Sequence, residues 1–313
     1  MPGMKHFDAP TTRQALPFAA LIAAIERMFV AGCEVPPRHV HKIVSAEGEQ
    51  GTVLIMPAWY GPYMGIKTVN IFPGNAARGL PGLFSTYTLY SAATGQPLAT
   101  IDGDEITARR TAAASALAAR YLARPDARRL LMVGSGRVAR LLPQAYRALL
   151  PIEEITVWSR NPAAAERVAA DLSFDDCIVR ASTQLEEAAR QADIVSCATL
   201  ATEPVIRGAW LQSGSHLDLI GGFTPQMREA DDDCFKGSAL YVDTVEALQK
   251  AGDLLGPMAR GVFAPNDVAG TLETLCRAQA AGRQSSQART VFKSVGTALE
   301  DLAAAILVYE HPD

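Results

Sequence analysis

Residues 130–139 read LLMVGSGRVA, four apolar residues followed by a turn that holds Gly134 and Gly136. A chain that leaves an apolar strand and enters a helix through so short a turn has few folds open to it. In Gly134-Ser135-Gly136-Arg137-Val138-Ala139 the first glycine permits the tight turn, and the second lets the backbone come close to a pyrophosphate. The small Ala139 lets the following helix pack on the strand. Such a GxGxxG/A pattern is weak by itself, because glycine turns are common. Its force comes from its flanks.

Those flanks have a regular alternation. From residue 130 to about 245, LLMV, ITVW, CIVRA, DIVSCAT, HLDLIG and ALYVD read as short apolar strands. Between them, PAAAERVAADL and TQLEEAARQ read as helices, which predicts a parallel sheet with crossover helices. The first 110 residues differ. HVHKIV, TVLIMPAW, GIKTVNIF, FSTYTLYSA and PLATIDG are β-type runs broken by Gly, Pro and Asn, and they predict a mainly antiparallel sheet. RRTAAASALAARYLA then reads as an alanine-rich helix. TVFKSVGTALEDLAAAILVYE reads as a second helix, with Val291, Val295, Leu299, Leu302 and Ile306 on one side. Whether that last helix returns to the first domain is not legible in composition.

At 313 residues the chain suits two domains. Its net charge of −4 argues against a nucleic-acid partner. Cys33, Cys177, Cys197, Cys234 and Cys276 are far apart and form no CxxC pair, as expected of reduced thiols in a cytoplasmic protein. The first apolar stretch, LPFAALIAAIERMF, carries Glu26 and Arg27 and puts its bulky residues on one helical stripe, so it is a core-facing helix. No apolar run reaches the roughly 20 residues of a membrane span.

Site candidates follow from position. The strand after the glycine turn ends in VWSRNP, where a carboxylate for a ribose 2′-hydroxyl is expected in an NAD site. Ser159, Arg160 and Asn161 suit a 2′-phosphate instead, which favours NADP(H) over NAD(H). Arg38, Lys67 and Arg110 are cations in apolar surroundings at strand and helix ends, fit to clamp a small carboxylate. His39 and His41 alternate on a strand without metal-ligand partners and read as solvated. The run Asp231, Asp232, Asp233 reads as a solvated helix start. No GxSxG, HExxH or P-loop occurs.

Four segments together resemble the ornithine cyclodeaminase/mu-crystallin family: KTVNIFPGNAARGLPG (67–82), TGQPLATIDGDEITARRTAAASALAARYLA (94–123), GSGRVA, and FKSVGTALEDLAAA (292–305). The resemblance implies an α/β fold: a Rossmann dinucleotide-binding domain (119–288) inserted into a substrate-binding and dimerisation domain (1–118, with 289–313 returning to it). It also implies a homodimer and an NAD(P)-linked reaction on an amino or imino acid. By its pattern Arg38, Lys67 and Arg110 match the ligands of the substrate carboxylate, Lys67 and Arg110 also serving catalysis. Thr111, Gly134, Ser135, Gly136, Arg137, Val138, Ser159, Arg160, Asn161, Thr199 and Ser294 form the cofactor set, with no metal.

True ornithine cyclodeaminases carry Asp after the paired glycines that follow HLDL, whereas here IGGFTPQMRE has Phe223. Phe223 cannot exchange a proton but joins the substrate-binding set by walling an apolar pocket beside a flat ring. The stretch is similar to that of the family's ketimine reductases. The resemblance therefore implies an NADPH-dependent reduction of a cyclic imino acid, Δ1-pyrroline-2-carboxylate to L-proline, with Δ1-piperideine-2-carboxylate to L-pipecolate as a second activity. The alternatives are ornithine cyclodeamination, amino-acid dehydrogenation, and non-catalytic NADPH and ligand binding of the mu-crystallin kind.

Overall fold

The computed structural model describes residues 3–46 and 48–311. The chain divides into two compact units, Met1–Arg110 with Thr297–Asp313, and Thr111–Gly296. The helices in chain order are α1 (Ala9–Gln14), α2 (Phe18–Ala31), α3 (Gly103–Leu122), α4 (Arg137–Arg147), α5 (Pro162–Asp171), α6 (Leu185–Gln191), α7 (Ala247–Lys250), α8 (Gly252–Ala259), α9 (Leu272–Cys276) and α10 (Ala298–Glu310).

The first unit carries β1 (Lys5–Phe7), β2 (His39–Ser45), β3 (Gly48–Tyr60), β4 (Tyr63–Ile71), β5 (Leu83–Ser91) and β6 (Pro97–Asp102). They form one sheet in the order β1-β6-β5-β4-β3-β2. Strands β2 to β6 pair antiparallel, as their alternating runs predict, while β1 joins β6 in parallel. At three residues β1 is too short to show a period. Helix α2 buries Phe18, Leu21, Ile22, Ile25, Met28 and Phe29, the stripe its sequence displays. Gly32, at φ +87°, ends it. Helix α10 packs on α2 and on β3 and β4. Val40, Ile43, Val44, Trp59 and Phe84 of the sheet remain exposed.

The second unit carries β7 (Arg129–Val133), β8 (Glu154–Trp158), β9 (Ile178–Ala181), β10 (Ile194–Cys197), β11 (His216–Leu219), β12 (Ser238–Val242), β13 (Val268–Thr271) and β14 (Arg289–Lys293). All pair in parallel, in the order β13-β12-β14-β11-β10-β7-β8-β9. Strand order runs outward one way from β7 and the other way from β10, so it reverses between them. Open parallel sheets take ligands at strand carboxyl ends beside such a reversal. Buried charges break the apolar run of these strands at Lys293 on β14 and at Asp218 on β11. Asp218 on β11 accepts hydrogen bonds from Ser115, Tyr146 and Ser196, which ties α3, α4 and β10 together.

Three expectations need correction. TVFK is not the start of a helix. It forms β14, paired with both β11 and β12, and the backbone turns at Gly296 (φ +77°) before Thr297 caps α10. Its β-branched and aromatic residues suit a central strand. In consequence residues 289–296 belong with the parallel sheet, and the division falls at 296/297 instead of 288/289. The other division falls at 110/111 instead of 118/119, inside α3, which starts at Gly103, so Arg110 does not open that helix but lies within it.

Candidate active site

In the first unit four charged side chains meet out of contact with solvent. Strand β4 turns Gly65, Lys67 and Val69 to its buried face, and Lys67 is only 1% exposed. Its Nζ lies 2.6 Å from Asp301 Oδ2. Arg110 donates from Nε to Asp301 Oδ1 and from Nη1 to Glu300 Oε2, both at 2.8 Å. Glu300 and Asp301 stand in the first turn of α10, where the helix end favours acids. Two cations and two carboxylates cancel, and only a paired set of charges is tolerated at such burial.

Electrostatics here are finely opposed. Burial draws the Lys67 ammonium down, Asp301 pulls it up and the charges of Arg110 and Arg38 lower it, for a net value of about 8. Burial alone would raise the Asp301 carboxyl, but Lys67 and Arg110 hold it below its usual range. Arg38 is half-buried and near enough to act on Lys67. A guanidinium has five N–H donors, and the two contacts above orient Arg110 without using all of them. The cluster is net neutral, and its carboxylates hold Lys67 and Arg110 in fixed positions from which unused guanidinium donors can meet a small anion. Sequence reading found its cations and missed its acids. The signal was the Glu-Asp pair inside the apolar run TALEDLAAA.

In the second unit the glycine turn follows β7. Gly134 has φ +132°, and a Cβ there would lie 2.6 Å from the Ala198 carbonyl oxygen. A Cβ on Gly136 would meet nothing within 4 Å, so the space beside it is open. Gly136 precedes α4 and makes no side-chain cap hydrogen bond, and the amino end of a helix favours an anion. Ser135 and Val138 are half-buried and Arg137 is exposed. This turn fits a nucleotide pyrophosphate.

The residues predicted around it differ in what they do. Beyond β8, Ser159 Oγ donates to the Asn161 carbonyl at 2.9 Å, and Asn161 Oδ1 caps α5 by accepting from the Ala164 amide. Arg160 between them is exposed. Thr111 is half-buried on α3. Thr199, Phe223 and Ser294 follow β10, β11 and β14, hence all three sit at strand carboxyl ends. The hydroxyls of Thr199 and Ser294 donate to buried acids, Glu229 at 2.8 Å and Asp243 at 3.0 Å. Sequence reading did not single out Glu229, Asp243, Asp253 or Lys293, which folding brings together from loops, helix α8 and the end of β14. Asp231 accepts from the amides of Gly208 and Cys234, so the acidic run is partly spent on the backbone. His39 and His41 are exposed on β2. A groove of about 730 Å³ along α2, α10 and the β3–β4 turn includes none of the predicted site residues.

A parallel sheet with a glycine turn at its reversal point, together with a unit that buries a paired charge cluster, defines an α/β protein of dinucleotide-binding dehydrogenase architecture. The model of the ornithine cyclodeaminase/mu-crystallin family matches residues 12–312. A Δ1-pyrroline-2-carboxylate reductase of Paracoccus denitrificans is 44% identical over 82% of this chain and 82% of its own. The structure of Thermococcus litoralis Δ1-pyrroline-2-carboxylate reductase in complex with NADH and L-proline superposes with a TM-score of 0.92, at 32% identity over 98% of this chain and 97% of that one. An archaeal alanine dehydrogenase dimer with bound NAD gives 0.91, at 29% identity over 98% and 95%. The chain belongs to the ornithine cyclodeaminase/mu-crystallin family.

Proposed function

We propose that the chain is an oxidoreductase that converts Δ1-pyrroline-2-carboxylate to L-proline, with Δ1-piperideine-2-carboxylate as a second substrate giving L-pipecolate. The observation that carries this reading is the Lys67–Asp301–Arg110–Glu300 cluster, a buried and preoriented seat for one carboxylate. The relatives whose names specify the same imine support it.

Arg38, Lys67 and Arg110 hold the substrate carboxylate, which fixes the ring and restricts its motion relative to the reacting partner. Gly134, Gly136 and the start of α4 hold the pyrophosphate of the dinucleotide. Arg160 reads the ribose 2′-phosphate and makes NADP(H) the preferred cofactor, with NAD(H) second. When bound, the reduced nicotinamide supplies the hydride for the imine carbon, and the imine nitrogen gains the proton. Phe223 neither takes nor gives a proton, which suits a preformed iminium and not the deprotonation of an amino acid.

The apolar side chains left exposed on the first unit's sheet, Val40, Ile43, Val44, Trp59 and Phe84, support a homodimer. Among the described residues no helix is long and apolar enough to cross a membrane, and the reading assigns the protein to the cytoplasm.

The test is to follow 340 nm absorbance with NADPH or NADH and each cyclic imine, beside ammonia release from L-ornithine and NAD reduction by L-alanine. Imine-dependent oxidation without ammonia is the expected result. Ammonia release from ornithine overturns the reading, and so does tight NADPH binding with no oxidation. The dehydrogenase alternative rests on the alanine dehydrogenase superposition, and alanine-dependent reduction of NAD would favour it.

A further inference from the structure

The carboxyl ends of β10 and β11 are tied together by one buried side chain. Glu229 Oε1 accepts from the Thr199 amide at 2.7 Å and from the Thr199 hydroxyl at 2.8 Å. Its Oε2 accepts from the amides of Gly221 at 2.9 Å and Gly222 at 3.2 Å. The fit is close. A Cβ on Gly221 would lie 2.0 Å from the Thr199 carbonyl oxygen and 2.5 Å from Glu229 Oε1. Beneath it, Asp253 Oδ1 accepts from the amides of Glu229 and Ala230, and Lys293 Nζ donates to Asp253 Oδ2 at 2.9 Å. Glu229, Asp253 and Lys293 are all fully buried. They hold two carboxylates against one ammonium, an arrangement with no role in the carboxylate seat of the first unit.

We propose that Glu229 is a positioning residue: in its ionised form it locks the Thr199 loop and the Gly221–Phe223 turn into the one geometry that receives the dinucleotide. The inference rests on the functional reading above for what these loops bind. Four donors converge on one carboxylate, and only a carboxylate offers acceptors to all of them. An amide in its place must turn its NH₂ group toward one loop. That loop then loses its acceptor.

Protonation has the same effect. Burial pushes the Glu229 carboxyl up to about 7; Lys293 opposes that rise and Asp253 adds to it. The other titratable groups that face this cluster are Cys197 on β10, on whose thiol Glu229 and Asp253 act, and Asp218 on β11, which Lys293 acts on. The lock therefore loosens as pH falls through neutrality.

NADH is the suitable probe, since it lacks a 2′-phosphate that would itself titrate nearby. Its dissociation constant, read by nicotinamide fluorescence from pH 6 to 9, is expected to weaken about tenfold on the acid side, the scale of one charge-assisted hydrogen bond. Glu229→Gln is expected to bind about tenfold more weakly at pH 8 with no pH dependence, and Glu229→Asp to regain part of the acid limb. A wild-type constant that is flat from pH 6 to 9 overturns the proposal, even should the Gln variant fail to fold. An unchanged acid limb in Glu229→Gln overturns it too. Wild-type protein that binds NADH yet reduces no imine refutes the functional reading alone.

Discussion

Replacing Asp301 with Asn tests the carboxylate seat at its foundation. The substitution keeps side-chain volume but removes the charge that Lys67 meets at 2.6 Å and Arg110 at 2.8 Å. The amide oxygen can accept from one cation only, and its NH₂ faces the other. Breaking a buried ion pair by removing one partner costs about 3–5 kcal/mol. Lys67 limits the loss, because its value of about 8 already includes the upward pull of Asp301. Without that pull it sheds its proton at neutral pH, and the expected loss is about 3 kcal/mol, near the lower end of the range.

The pH dependence has a definite sign. In the wild type a Lys67 value lowered from 10.5 to about 8 means that the unfolded chain binds more protons between those values. The penalty of charging Lys67 is thus present in full below about 8 and fades as pH rises toward 10.5. Asp301 is lowered from 3.8, so its stabilisation is present above that value and is lost on acidification through the folded value. At pH 9 the wild-type Lys67 is itself mostly neutral, so Asp301→Asn should cost less there than at pH 7. Urea unfolding of both proteins at the two pH values measures this. A loss under about 1 kcal/mol at pH 7, or a loss that grows with pH, would refute the ion-pair account.

Affinity for the imine should fall as pH rises through about 8, when Lys67 loses its charge, and Lys67→Arg should flatten the alkaline limb of a KM profile. Arg160→Ala should raise the KM for NADPH roughly 10–100-fold, one charge-assisted phosphate contact, and leave that for NADH nearly unchanged. Equal effects on both cofactors would show that this exposed arginine reads no phosphate. Phe223→Asp should weaken imine reduction by placing a solvated charge against an apolar ring. Paired assays of NADPH oxidation and ornithine-dependent ammonia release decide it, and robust ammonia release by the wild type would show that another residue supplies the missing base.

Local rules made much of this protein legible. The glycine turn, the α2 stripe closed by Gly32 and the alternating runs of β2 to β6 each express their structure within a few residues, through backbone sterics and the period of side-chain burial. The family segments, being contiguous in the chain, were legible for the same reason. Strand β14 was not, because an apolar run that is buried on both faces has no period to separate it from a helix. Lys67 and Arg110 could be suspected as cations in apolar runs, but nothing near them in sequence names Asp301, 191 residues beyond Arg110. Glu229, likewise, is an ordinary acid after a turn until folding surrounds it with four donors. Coulombic pairing and desolvation depend on distance in space and on the exclusion of water. Neither quantity exists until the chain is packed, so the strands and turns were written locally while the charge state of the site was decided by tertiary structure alone.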